Sequence, residues 1–176
     1  YARANAGKLN FGSAGLTTQL IGEQLNAAGV KLVNVPYKGT AAVLPALLSG
    51  EIDLAIDGVS VYLPHIREGR VRALAMTAPR RLAQLPDLPT LREMGHAQAE
   101  MNGWLGLFAP ASTPGAVVQR LNAEVRKAWS DASVRQRLVA NGQDPQASTP
   151  EELTALVTQG QAQWGPVIRA LGIRFD

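Results

Sequence analysis

The chain has 176 residues, 46% hydrophobic and 18% charged, with a net charge of +3. That is enough apolar material for one domain or two small ones, and too little charge for a disordered chain. It contains no cysteine, which excludes disulfides, thiolate nucleophiles and cysteine-bound zinc.

Residues 1–7 read as the last turn of a helix closed by Gly7, so a preceding segment is expected. Residues 8–21 read as a strand, a small-residue turn and the opening of a helix. Gly12 and Gly15 permit a tight turn and close approach to a ligand, while Ser13, Thr17 and Thr18 set hydroxyls beside the unpaired amides of a first helical turn. Such a backbone suits an anion, a carboxylate above all. The helix runs on through Leu20, Ile21 and Leu25 to Gly29, and the valine-rich residues 30–35 form a strand. Pro36-Tyr37-Lys38-Gly39-Thr40 makes a second turn, with Thr40 or a neighbour capping a helix that stops at Gly50. Ile52-Asp53-Leu54-Ala55-Ile56 is apolar enough for a strand covered on both faces, followed by a turn holding Asp57 and Gly58 and a helix over 60–68. Residues 71–77 read as a further buried strand.

Strand and helix therefore alternate, which predicts an α/β fold with a mainly parallel sheet and helices on both faces. Ligands of such sheets bind beyond the carboxyl ends of the strands. Residues 11–15, 36–39 and 57–60 all lie at such ends. From about Pro110 helices take over: residues 116–129 carry Val117, Val118, Leu121, Val125 and Ala128 on one stripe, with Thr113 before Pro114 as cap and first-turn pair. Residues 134–140 give a short helix. Thr149-Pro150-Glu151-Glu152 opens a last long one with a cap, a first-turn proline and two acids matched to the helix dipole.

Catalytic signatures fail on residues that their mechanisms require. Gly12-Ser13-Ala14-Gly15 is one residue short of a nucleophile elbow, and Lys38-Gly39-Thr40 has Tyr37 where a phosphate loop needs glycine. His65 and His96 have no partner at metal-ligand spacing, so neither a metal nor a cofactor is expected. Arg67, Arg70, Arg72, Arg80 and Arg81 form the densest basic stretch, but no aromatic platform interleaves with them, which argues against a nucleic-acid groove. Asp53 and Asp57 would stand about 13 Å apart along a strand, too far to share a proton. Asp53 reads as a surface residue and Asp57 as a candidate site residue. Lys38 is either a solvated side chain or an ion-pairing group at the site's mouth. Trp104 and Trp129 read as packing residues rather than ligand platforms.

Five motifs in order carry a resemblance: Phe11-Gly12-Ser13-Ala14-Gly15, Val35-Pro36-Tyr37-Lys38-Gly39-Thr40, Gly69-Arg70-Val71-Arg72-Ala73-Leu74-Ala75, Leu85-Pro86-Asp87-Leu88-Pro89-Thr90 and Trp104-Leu105-Gly106-Leu107-Phe108-Ala109-Pro110. The chain resembles the periplasmic solute-binding receptors of tripartite tricarboxylate transporters, the Bug proteins. The resemblance implies a type II, Venus-flytrap periplasmic-binding-protein fold, with residues 1–103 in the second lobe and 104–176 the crossover and C-terminal helices of the first. It implies a non-enzymatic protein that captures a small carboxylate, an organic acid or amino acid, for membrane subunits of a transporter. Relatives carry a long N-terminal region before this point, including a first-lobe strand-turn-helix that this chain lacks. The chain by itself is therefore expected to bind weakly or not at all and to self-associate. Carried over where residues match, Ser13, Ala14 and Gly15 would hold a carboxylate through backbone amides, with Thr17 and Thr18 assisting. Tyr37 and Lys38 lie at the second turn, and Asp57 would suit a ligand hydroxyl, ammonium or bridging water. A ligand-sensing regulatory module of the same fold is the alternative, and an enzyme a distant third.

Overall fold

Strand β1 (Asn10–Ser13) is the centre of a three-stranded parallel sheet in the order β2-β1-β3, with β2 at Val33–Pro36 and β3 at Leu54–Ile56. This is a computed structural model, and it describes residues 1–172. The chain divides into two units, Tyr1–Gly103 and Trp104 onward.

In the first unit, helices α1 (Leu16–Ala27), α2 (Thr40–Ser49) and α3 (Val59–Arg67) each follow a strand. Side chains alternate along a strand, so the sheet has two faces to cover. Phe11, fully buried, points at α1, where a Cβ on Gly22 would run into its ring. Gly12 faces the other way: a Cβ there would lie 2.5 Å from Ile52 Cδ1 and 2.9 Å from Val43 Cγ1 of α2. Gly12 therefore serves close packing of α2 on the sheet, whatever its part in the turn. One core cluster gathers Ile21, Leu91 and Ala99 with Leu25, Ile56, Ala75 and Met101. The other gathers Val43, Ala46 and Ile52 with Ala14, Val35, Tyr37, Leu47 and Ala55. The two clusters are the two faces of one sheet.

Strand bounds depart from the sequence reading where backbone groups are already engaged. Lys31 adopts a left-handed conformation (φ 55°), and the Leu32 amide and carbonyl both bond to the Asn26 side chain, so β2 starts only at Val33. Residues 71–77 do not form the expected strand. Their one ladder-type contact is a bridge between Met76 and Thr90, and Leu74 is 55% exposed. An extended segment becomes a strand only where a neighbour supplies its hydrogen bonds. Residues 1–7 contain a 3₁₀ turn, Arg3–Asn5, and Gly7 takes a left-handed φ of 74°.

The connection after Met76 is held by charge. Glu93 accepts from the Thr90 amide at 2.7 Å and from Arg81 Nε at 3.0 Å, while Arg81 Nη1 donates to the Pro86 carbonyl. Arg92 pairs with Glu100 at 2.7 Å. The Thr90 amide first, then the Arg81 guanidinium, hold the Glu93 carboxyl below its ordinary range, and Arg92 does the same for Glu100. Because folding weakens proton binding at both groups, their stabilisation is fully present above the unfolded pKa of about 4.3 and is lost as pH falls towards the lower folded values. The thermal midpoint is therefore expected to drop on acidification below about pH 4.3, and less steeply in Glu93→Gln. Parallel pH profiles for the two proteins would show that Glu93 contributes nothing.

The second unit consists of helices α4 (Gly115–Ser130), α5 (Ala132–Ala140) and α6 (Pro150–Ala170). The capping box expected at α6 is present: Glu152 N donates to Thr149 Oγ1 and Thr149 N to Glu152 Oε2. Thr113 does not cap α4, whose N-cap is Pro114 with no side-chain bond. Asp131 caps α5 by accepting from the Ser133 and Val134 amides. Val117 and Leu121 of the α4 stripe are exposed, as are Leu105, Leu107 and Phe108, and Trp104 is 46% exposed. Of the two packing roles the sequence allows Trp104, core or interdomain, this exposure does not fit the first. Among the described residues no helix is long and apolar enough to cross a membrane.

Candidate functional site

The strand register brings three turns to one edge. Ser13 is paired with Pro36 on one side and Ile56 on the other, so the segments that follow them leave the sheet from a common row. All three strands are parallel, and α1, α2 and α3 therefore all begin at this edge with their unpaired amides and positive dipole ends. Tyr37 N donates to the Ser13 carbonyl at 2.9 Å, tying the first turn to the second.

At α1, Gly15 is the N-cap, in an extended conformation with open space where a Cβ would lie. Thr18 Oγ1 accepts from the Gly15 amide at 3.2 Å and donates to the Gly15 carbonyl at 2.8 Å. Thr18 is thus the capping residue of the turn. The first-turn amides of Leu16 and Thr17 have no partner within the helix by geometry, and no acidic side chain lies in that turn. Thr17 is exposed, whereas Ser13 is only 2% exposed. Ala14 packs against the α2 core cluster. Of the predicted α1 residues, Gly15 and Thr17 present surface, Thr18 braces the turn, and Ser13 and Ala14 contribute backbone.

At the second turn the side chains go elsewhere. The Tyr37 ring joins the α2 cluster and its hydroxyl donates to Glu51 Oε1 at 3.1 Å, beyond the far end of α2. Partial burial, then Glu51, holds the phenol above its ordinary pKa. Lys38 is exposed. Gly39 follows in a left-handed conformation (φ 88°) as the N-cap of α2, a backbone that a side chain would strain. Of the caps the sequence allows, Thr40 or a neighbour, it is the neighbour Gly39 that takes the position: Thr40 is the first helical residue and its hydroxyl is directed to Asp57.

Asp57 collects three donors. Its Oδ1 accepts from Thr40 Oγ1 and from the Gly58 amide, each at 2.8 Å, and its Oδ2 accepts from the Tyr62 hydroxyl at 3.2 Å. Tyr62 is 6% exposed. Burial first, then the Asp57 charge and hydrogen bond, push its phenol far above the ordinary value and keep it a donor. The bonds of Thr40 and Tyr62 to Asp57 are what the sequence reading missed at this edge. Asp53, by contrast, lies at the other end of β3 and accepts from the Asn10 amide at 2.8 Å.

Among the described residues there is no group of three or more metal-ligating side chains. A cavity of about 310 Å³ lies within the helical unit, lined by Arg126, Trp129, Ser130, Arg135, Pro145 and Ala147. Trp129 is half-buried there.

Comparison with known proteins sharpens this picture. The family model "Tripartite tricarboxylate transporter family receptor" (TctC) matches residues 1–173. A UPF0065 protein encoded in the tcbD–tcbE intergenic region of Pseudomonas sp. (strain P51) is 40% identical over 171 residues, covering 95% of this chain and 51% of the relative. The structure of R. palustris Rpa4515 with adipate superposes with a TM-score of 0.90 at 32% identity, covering 98% of this chain and 59% of its own. The periplasmic binding protein BugD superposes with a TM-score of 0.87 at 34% identity, covering 99% of this chain and 60% of its own. The fold is that of the periplasmic binding proteins. The chain spans about half the length of the curated relative and about three-fifths of the solved structures.

Proposed function

Because the chain belongs to the TctC family of tripartite tricarboxylate transporter receptors, we propose that it forms one wall of an extracytoplasmic receptor that captures a small carboxylate in the periplasm. The captured solute, an organic acid or amino acid, passes to membrane subunits of the transporter. The observation that carries this reading is the uneven state of the three helix N-termini at the sheet edge. Asp57 already places a carboxylate at the starts of α2 and α3, whereas the first turn of α1 has no acidic residue. An incoming carboxylate finds its donors at α1. The adipate carried by a relative of the same fold supports that ligand class.

The energetics suffice without any covalent step. Charge-assisted hydrogen bonds contribute about 1.5–3 kcal/mol each and the helix dipole about 0.3–1 kcal/mol. Three such contacts approach the roughly 8 kcal/mol of micromolar affinity once a second wall excludes water. In this reading residues 1–103 are the second lobe, the unpaired first-turn amides of α1 from Leu16 to Thr18 hold the ligand, and Lys38 stands exposed beside the second turn. Nothing in this reading requires turnover.

Calorimetry of the longest encoded form of the protein against adipate, other dicarboxylates, amino acids and neutral sugars tests it. Saturable heat with carboxylates and unchanged ligand afterwards is expected. Binding restricted to an uncharged solute would overturn the carboxylate assignment.

A further inference from the structure

Asp57 lies at the edge where the solute is expected, yet its geometry is that of a group already satisfied. A carboxylate offers about four acceptor positions, and three are taken by Thr40 Oγ1, the Gly58 amide and the Tyr62 hydroxyl. These donors come from three places in the chain: the first residue of α2, the N-cap of α3 and the buried fourth residue of α3. Neither α2 nor α3 has an acidic residue in its own first turn. Thr40 and Gly58 belong to different turns and are joined through one side chain.

We propose that Asp57 is a positioning residue, the built-in anion of the α2 and α3 N-termini, which buckles their two turns together rather than touching the solute. Its negative charge meets two helix N-termini at short range, which is favourable for the same reason that a bound anion would be. Tyr62, locked in the α3 packing, fixes the second oxygen and so the orientation of the carboxylate. A consequence, resting on the receptor reading above, is that a solute carboxylate is kept away from α2 and α3 by like charge and is directed to α1.

A built-in anion can be replaced by a free one. Thermal midpoints of wild type, Asp57→Ala, Asp57→Asn and Tyr62→Phe are measured without solute, with and without added formate. Asp57→Ala is expected to melt about 4–8 °C lower and to recover at least half of that drop in formate, after the shift formate causes in wild type is subtracted. Asp57→Asn keeps acceptors for Thr40 and Gly58, so it loses less and responds no more to formate than wild type. Tyr62→Phe, which frees one oxygen only, melts lower than wild type and gains nothing from formate. Formate recovery absent in Asp57→Ala, or equal losses in the Ala and Asn variants, would overturn the proposal. If Asp57→Ala does not fold, amide exchange decides: in Asp57→Asn a neutral oxygen, the weaker acceptor, replaces the carboxylate at the Gly58 amide, so exchange there faster than in wild type supports the buckle, and unchanged exchange overturns it. These readouts use no solute, so a failed carboxylate panel would sink the receptor reading while leaving this one standing.

Discussion

Phe11→Ala is expected to lower the unfolding free energy of the first unit by about 3–5 kcal/mol, the usual cost of emptying an aromatic core site. Phe11 is fully buried at the centre of the sheet, and its ring fills the space left by the missing side chain of Gly22 on α1. A domain with about 5–15 kcal/mol in total has little left after such a loss. The reverse substitution makes the same point from the other side: Gly22→Ala sets a methyl group where the ring lies, an overpacking that costs about 1–3 kcal/mol. The two changes must therefore be non-additive. In the Phe11→Ala background the new methyl group enters a cavity instead of a ring, so a double-mutant cycle is expected to give a favourable coupling of about 0.5–3 kcal/mol. Urea titrations followed by circular dichroism read all four proteins. A Phe11→Ala cost below about 1 kcal/mol, or strict additivity, would mean that the ring does not anchor α1 to β1.

The parts of this fold that local chemistry dictates were legible in the sequence. Gly12 to Thr18 reads as strand, turn and helix because glycine, small residues and hydroxyls succeed one another in the order that a helix start requires, and α1 begins at Leu16. Thr149 to Glu152 was equally readable, since both halves of its capping box lie within four residues. Features that depend on distant partners were not. Residues 71–77 have the composition of a strand, but pairing is a property of the neighbour, and only Met76 makes a bridge. Thr40 has the residue type of a cap, yet its hydroxyl is used by Asp57, seventeen positions on. Tyr62 offered no signal at all, because its hydroxyl returns to Asp57 only once α3 has started at Val59 and buried the ring. The candidate site divides in the same way: the three turns were visible as motifs, and the three donors that Asp57 gathers were not.

Thr17→Glu separates helix stability from solute affinity, because the same charge acts on the two with opposite sign. Thr17 is exposed in the first turn of α1, which has no acidic residue of its own. A glutamate there meets the positive end of the helix dipole and is expected to stabilise the fold by about 0.3–1 kcal/mol. A solute carboxylate held by the same turn meets a like charge. At about 5 Å and an effective dielectric constant of about 20, the repulsion is roughly 3 kcal/mol, a loss of about 100-fold in affinity. The thermal midpoint should therefore rise slightly while calorimetric binding of the best carboxylate collapses. Thr17→Gln, similar in size but neutral, distinguishes charge from bulk and is expected to lose far less. Salt supplies a third handle, since the penalty in Thr17→Glu shrinks as ionic strength rises and the Debye length falls below the separation of the two charges. Equal affinities for the Glu and Gln variants at low salt would place the carboxylate away from α1, and the receptor's anion-binding wall would have to be sought at another turn of the edge.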